Sequence, residues 1–316
     1  MAVATIWKRL SSESLGKDVK WNAGMMADQT GRVAVVTGSN TGIGYHMAHG
    51  LASKGASVTL ACRSESKAEA ARGRILSELP GSEVGVGVLD LADLESVRGF
   101  CEGFSADNDR LDLLINNAGV MIPPYSTTRD GFELQFGTNH LGHFALTGQL
   151  LPLLEGTGGS RVVTLSSIAH NPGVIDFDDL NSERKRYSKW GSYSQSKIAN
   201  LVFAIELGRR LEASGSSVAS LASHPGYSNT DLQRHSALWR ALNVFLAMPA
   251  RKGAAPTLFA ATDPEAAGHP YWGPTGFIEM RGWTGRARIN HKARDEEVAR
   301  RLWQVSEDLT GVRYLG

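Results

Sequence analysis

A single α/β domain built on a doubly wound parallel sheet is the fold this sequence predicts. Short β-branched runs alternate with helical stretches, the first such run ends in a glycine-rich turn, and no Pro/Gly/Ser linker, repeat or low-complexity tract divides the chain. Residues 32–37 form the first apolar run, which passes through the glycine turn into a helical stretch over 43–54. Extended runs at 57–62, 84–89, 111–115, 161–165 and 218–222 alternate with helical patterns at 65–79, 93–104, 130–154 and 194–211, and Asp93 has the position of an N-cap. Strands this continuously apolar need helices on both faces of the sheet, and right-handed crossovers then give a Rossmann-like architecture. The rhythm breaks over residues 228–283, rich in Trp, Phe and Pro, which are expected to form a helical substrate cap near the carboxyl ends of the strands. The expected layout is a leader over 1–30 followed by one domain over 31–316.

The 316 residues carry 33 Lys+Arg against 32 Asp+Glu, a balance that gives no global field to recruit nucleic acid and that suits a small neutral or weakly charged ligand. Cys62 and Cys101 are too few for a disulfide framework and lack metal-site spacing, so both are expected as buried thiols in a reducing compartment. The first ten residues place their charges after a short apolar run, the reverse of a secretory signal, and a cytoplasmic location is expected. No apolar run reaches the ~18 residues of a spanning helix. Residues 237–248, with Leu238, Leu242 and Phe245 on one face, read as an amphipathic helix that packs on its own domain or touches a membrane surface. His140 and His143, at i and i+3 without a third ligand, are expected to be structural, so no metal is assigned. Homo-oligomerisation is left open.

The turn Thr37-Gly-Ser-Asn-Thr-Gly-Ile-Gly44 joins the first strand to the first helix. Gly38 is expected to adopt positive φ, Gly42 to let the backbone approach a pyrophosphate, and Gly44 to permit close helix–strand packing. With Ser39, Asn40, Thr41 and Ile43 they form a phosphate cradle at a helix N-terminus. The spacing resembles the Thr-Gly-x-x-x-Gly-x-Gly turn of the short-chain dehydrogenase/reductase family, and four further matches follow in that family's order. Asp90-Leu91 resembles its adenine-side aspartate, and Asn116-Asn-Ala-Gly119 its Asn-Asn-Ala-Gly signature, which brings in Asn117, Ala118 and Gly119. Tyr193-Ser-Gln-Ser-Lys197 matches the Tyr-x-x-x-Lys pair, and Pro225-Gly226 with Thr230 matches the nicotinamide-side turn. The five matches span residues 32–230.

The resemblance implies a dinucleotide cofactor and a division of labour. Cys62 stands where NAD-dependent relatives carry an acidic residue and Arg63 follows, a combination that welcomes a ribose 2′-phosphate and points to NADP(H). Tyr193 is expected as the acid/base, its pKa lowered from about 10 by the Lys197 ammonium one helical turn away. Lys197 would also hold the nicotinamide ribose. Ser167, in preference to Ser166, would donate to the substrate oxygen, and Asn139 would hold a water that relays protons to Lys197. His224 is left undecided, and Trp239, Trp272 and Trp283 are expected to pack the cap.

Within the family, Ala61-Cys-Arg63, Asn139-His-Leu-Gly-His-Phe144 and Ser166-Ser-Ile-Ala-His170 resemble the retinol dehydrogenase branch. The membrane-anchoring N-terminal helix of animal members has no counterpart in the leader, and the stretch from Gly273 onward is not tied to a substrate. The reading is an NADP(H)-dependent oxidoreductase interconverting a hydrophobic aldehyde or ketone and its alcohol. The alternatives are a non-catalytic NADP(H)-binding regulator and a carbon–carbon double-bond reductase on the same fold.

Overall fold

The structure, a computed structural model, describes residues 20–227 and 248–315. Eight strands form one sheet in the order β3-β2-β1-β4-β5-β6-β7-β8. They are β1 (Val33–Thr37), β2 (Ser57–Cys62), β3 (Val84–Val88), β4 (Leu113–Asn116), β5 (Arg161–Leu165), β6 (Ala219–Ser223), β7 (Tyr271–Gly276) and β8 (Arg281–Arg286). All neighbours are parallel except β7 and β8, which form an antiparallel hairpin. The strand order reverses between β1 and β4, and a crevice opens beyond the carboxyl ends of strands at such a point.

Alternation along the strands explains the two-faced core. Ala34, Val36, Leu113 and Ile115 point into one apolar layer, with α1 (Gly42–Ala52) and α2 (Glu65–Glu78). Val35 and Leu114 point into the other, beside α3 (Leu94–Asp107), α4 (Gly142–Glu155) and α5 (Lys189–Ala213). Asp93 caps α3 as expected, its carboxylate accepting from the amides of Glu95 and Ser96.

Two sequence expectations change, and one element appears that the sequence reading did not name. Trp21 and Met26, assigned to the leader, are core residues, and Trp21 packs edge-on against Phe259 at 5.7 Å. The stretch 228–283 is only in part a cap. Residues 228–247, including the 237–248 helix apart from Met248, Trp239 and Thr230, lie outside the described residues. Beyond them α6 (Ala255–Thr262) packs in the core, and β7 and β8 extend the sheet. Trp272 is buried, its indole N–H donating to the carbonyls of Ala266 and His269, while Trp283 is half exposed. Finally, α7 (Glu296–Thr310) closes the far face. Asp295 caps its first turn and Gly311, at φ 70°, ends it. Among the described residues no helix is long and apolar enough to cross a membrane.

Candidate active site

A cleft of about 980 Å³ runs across the carboxyl edge of the sheet, at the upper end of the range for ligand sites. One end is walled by the β1–α1 turn. Gly38 and Gly42 both adopt left-handed φ, 64° and 60°, so Gly42 is required for its conformation as well as for access. At Gly44 a Cβ would lie 2.5 Å from Asn117 Nδ2 and 2.6 Å from the Gly38 carbonyl, the close packing that the turn predicted. Asn40, Thr41, Gly42, Ile43 and Gly44 line the cleft. The first amides of a helix lack intrahelical partners, so the start of α1 offers N–H donors and a positive dipole end to an anion. Ser39 is the exception among the predicted cradle residues. Its side chain is buried, donating to the Val36 carbonyl and lying 3.7 Å from Cys62 Sγ, so it shapes the turn from behind.

The turn is held by the segment after β4. Thr37 Oγ1 accepts from the amides of Asn117 and Ala118, each at 2.9 Å, and Asn117 Nδ2 donates to the Thr37 carbonyl at 2.7 Å. Asn116 turns the other way and donates to Thr147 and Thr164. His143 Nε2 lies 3.0 Å from Thr37 Oγ1, and burial lowers its pKa to about 4. His140 is also buried, its Nε2 2.8 Å from Ser306 Oγ. Both imidazoles belong to the packing, and among the described residues no cluster of His, Cys, Asp or Glu could hold a metal ion.

At the other end β5 and α5 bring the chemical groups together. Ser167, Tyr193 and Lys197 all line the cleft. The Ser167 side chain acts on the Tyr193 hydroxyl, favouring its ionised form, while Ser167 Oγ accepts from Ala169 N at 3.2 Å. Lys197 Nζ donates to the Leu165 carbonyl at 3.2 Å and sits 5.8 Å from the Tyr193 ring centroid. Ser166 faces the cleft too, but its hydroxyl donates to the Lys197 carbonyl at 2.7 Å, so Ser167 is the serine directed at Tyr193. The structure does not give the expected lowering of the tyrosine pKa. Burial pushes Tyr193 up to about 12, the adjoining Ser167 side chain opposing it, and burial brings Lys197 down to about 8. Desolvation disfavours both charged forms.

Asn139 departs from its expected setting as well. It lies in a π-helical turn, Gly137–Leu141, rather than within a regular helix. Its Oδ1 accepts from Val120 N, its Nδ2 donates to Val120 O and Ser196 Oγ, and its backbone carbonyl lies 2.9 Å from His143 Nδ1. Each side-chain hydrogen-bonding atom thus serves the protein, and Asn139 braces the Gly119–Val120 backbone against α5. A water ligand at that amide would have to compete with these bonds.

The remaining predicted residues are distributed along the cleft. Arg63 is exposed at its rim, where it makes no ion pair among the described residues, and Asp90, Leu91, Asn117, Ala118 and Gly119 line the middle. The Asp90 carboxylate accepts from Ala92 N. Pro225 and Gly226 line the end nearest Tyr193. Thr230 lies outside the described residues. The sequence reading missed the apolar wall near Tyr193, made by Met121, Ile122, Pro123, Trp190, Tyr227 and Met280. Met121 to Pro123 follow the Asn-Asn-Ala-Gly signature after Val120 alone, a position that could have pointed to them, whereas Met280 comes from a hairpin that nothing in its local sequence links to the site.

A glycine turn at a strand-order reversal, joined through one cleft to a Ser-Tyr-Lys group, defines a dinucleotide-dependent oxidoreductase. The family profile for short chain dehydrogenase matches residues 32–241, and the chain belongs to that family. Retinol dehydrogenase 12 of Homo sapiens is 46% identical over 289 residues, covering 90% of this chain and 88% of that protein. Retinol dehydrogenase 13 of Homo sapiens is 42% identical over 290 residues, covering 89% and 85%. The crystal structure of an uncharacterised protein from Mycobacterium paratuberculosis superposes with a TM-score of 0.79 at 44% identity, covering 94% of this chain and 99% of that one.

Proposed function

We propose that this protein is an NADP(H)-dependent reductase that interconverts an apolar aldehyde or ketone and its alcohol, with Tyr193 as the acid/base. The observation that carries the reading is the Ser167–Tyr193–Lys197 group, with Tyr193 and Lys197 buried, opening into a cleft continuous with the β1–α1 turn. The residues fit the cofactor. Gly38 to Gly44 and the start of α1 would take the pyrophosphate, Arg63 the 2′-phosphate, Asp90 and Leu91 the adenine side, and Pro225, Gly226 and Lys197 the nicotinamide side. NADPH supplies the hydride.

The protein's task is the proton. As hydride reaches the carbonyl carbon, the oxygen becomes an alkoxide. Tyr193 donates its O–H proton there while Ser167 Oγ–H holds the oxygen. A phenol with a pKa near 12 remains a far stronger acid than the alcohol it forms, so protonation in this direction runs downhill. Alcohol oxidation is harder, because it needs the phenolate. The Lys197 ammonium favours that form, and oxidation is expected to rise with pH. Asn139 is assigned a positioning role, through Val120 and Ser196. The apolar wall from Met121 to Pro123, with Trp190 and Met280, supports an apolar substrate, as does the likeness to retinol dehydrogenases. The balanced charge and the two free, buried cysteines support a reducing, cytoplasmic setting.

The test compares thermal stabilisation by NADPH and NADH at equal concentration, then screens apolar aldehydes and ketones with the preferred nucleotide. A larger shift with NADPH and consumption of NADPH with at least one carbonyl are expected. Stabilisation without turnover on any carbonyl would favour a binding regulator, and a product saturated at a carbon–carbon bond would replace the carbonyl reading.

A further inference from the structure

The turn between β7 and β8 inverts the usual hydrophobic pattern. Phe277 and Ile278 are exposed, at 66% and 75%, while Glu279 beside them is buried at 6%. Three successive non-glycine residues, Phe277, Ile278 and Glu279, hold positive φ of 21°, 55° and 58°. A β-branched residue is a marked outlier there, and such backbone persists only where surrounding contacts determine it.

The contacts are those of Glu279. Its Oε2 lies 3.3 Å from His224 Nε2, and its Oε1 accepts from Arg288 N at 2.9 Å. Burial would raise this carboxyl, but the adjoining His224 imidazole and the Arg288 amide and charge outweigh it and hold it below the ordinary carboxylate value. His224 in turn accepts at Nδ1 from Gly226 N, which leaves its proton on Nε2, facing Glu279. The imidazole is fully buried, and a Cβ at Gly273 would come within 2.0 Å of Nε2, so the ring has no room to turn. Two more contacts tie the same pieces together. Tyr227 N donates to the Met280 carbonyl at 2.8 Å, and a Cβ at Gly226 would lie 2.5 Å from that oxygen. Pro225, Gly226, Tyr227 and Met280 are all cleft wall.

From this we infer that Glu279 and His224 form a latch that sets the shape of the Pro225-Gly226 turn and holds Met280 against it, making both positioning residues for the nicotinamide half of the cofactor. The inference rests on the cofactor reading above. The strained hairpin turn delivers a carboxylate, the carboxylate fixes the imidazole, and the imidazole fixes the Gly226 amide. Neither Glu279 nor His224 lines the cleft, and the turn they brace is not at the adenosine end, so the two ends are expected to respond differently.

The experiment measures equilibrium binding of NADPH and of adenosine 2′,5′-bisphosphate, which has the adenosine and 2′-phosphate but no nicotinamide, to the wild type and to Glu279→Ala, Glu279→Gln and His224→Asn. Losing the Glu279–His224 contact behind the turn is expected to weaken NADPH about tenfold in Glu279→Ala and His224→Asn. Glu279→Gln keeps an acceptor and is expected to lose about threefold, and it carries the measurement if Glu279→Ala does not fold. The bisphosphate should stay within about twofold throughout. Parallel weakening of both ligands, which general destabilisation would give, overturns the latch, and so does a ratio that does not move. A wild-type protein that binds neither ligand overturns the cofactor reading and the latch with it, whereas wild-type binding of both with an unmoved ratio removes the latch alone.

Discussion

At the glycine-turn end of the cleft the wall is mostly backbone from one contiguous stretch, residues 38–44, with Asn117 locked behind it. At the Tyr193 end the wall is side chains from several distant stretches: the ends of β4, β5 and β6, helix α5 and the β7–β8 turn. The first end can be specified by glycines at fixed spacing, because the constraint is conformational and local. The second depends on tertiary packing to bring Ser167, Tyr193, Lys197 and Met280 within one enclosure. Changes at the two ends should therefore fail in different ways, the first in cofactor binding and the second in chemistry.

The largest effect is expected from Tyr193→Phe. It removes the proton donor and leaves the ring, so kcat should fall by about 10³-fold or more while NADPH still binds. Steady-state kinetics beside an NADPH titration check this, and near-normal kcat would remove Tyr193 from the mechanism. Next comes Gly44→Val, which forces a side chain into Asn117 and the Gly38 carbonyl. A destabilisation of about 3 kcal/mol, read by denaturant unfolding, and loss of most NADPH affinity are expected. If the variant bound NADPH as the wild type does, the close packing assigned to Gly44 would be wrong.

The same contrast explains what could be read from the chain. The six strands through Ser223 and the helices between them were legible because strands buried on both faces read as apolar runs, and the crossovers carry the helical period. The β7–β8 hairpin was not. Tyr271-Trp-Gly-Pro-Thr-Gly276 and Arg281-Gly-Trp-Thr-Gly-Arg286 contain the residues that ordinarily mark turns, and they become strands through pairing at the edge of an existing sheet. Helix α7 did carry a local signal, with Asp295, the acidic pair Glu296 and Glu297, and Gly311, and could have been found. The candidate residues of the site were named from the glycine spacing and from the resemblance to the family's motifs. Their electrostatics were not, since the pKa of Tyr193 depends on burial produced by the whole fold. The brace at Asn139 likewise depends on Val120 and Ser196, distant in sequence.

Lys197→Met sharpens the electrostatic side of the comparison. Burial holds Lys197 near 8, below its ordinary 10.5, so the folded protein resists carrying that charge while the unfolded chain does not. Between pH 8 and 10.5 the unfolded state binds more protons at this site, and wild-type stability gains from Lys197 as pH rises through that window. Below it the penalty is in full force. Methionine keeps the length without the charge, so the cofactor-free variant should be more stable at pH 7 by about 2 kcal/mol, with the gain shrinking toward pH 10. Tyr193 acts the other way at higher pH, because its raised pKa holds a proton that the unfolded chain loses near 10, and stability from it declines from there toward about 12. Activity of Lys197→Met should collapse. A loss of stability at neutral pH would show that the bond to the Leu165 carbonyl outweighs the buried charge.

Arg63→Ala gives the smallest effect and addresses the rim at the adenosine end. The side chain is exposed and makes no ion pair with the described residues, so removing it should leave the fold unchanged to within about 0.5 kcal/mol. A charge-assisted contact to a 2′-phosphate at an exposed position is screened by water and salt, which limits its worth to about tenfold in affinity. NADPH binding should weaken by that factor and NADH binding should not change, with the difference narrowing as ionic strength rises. Equal weakening of both nucleotides would move the role of Arg63 from the 2′-phosphate to the shared part of the cofactor. Cys62 beneath it would then be left as the feature, through its lack of negative charge, that admits the phosphate.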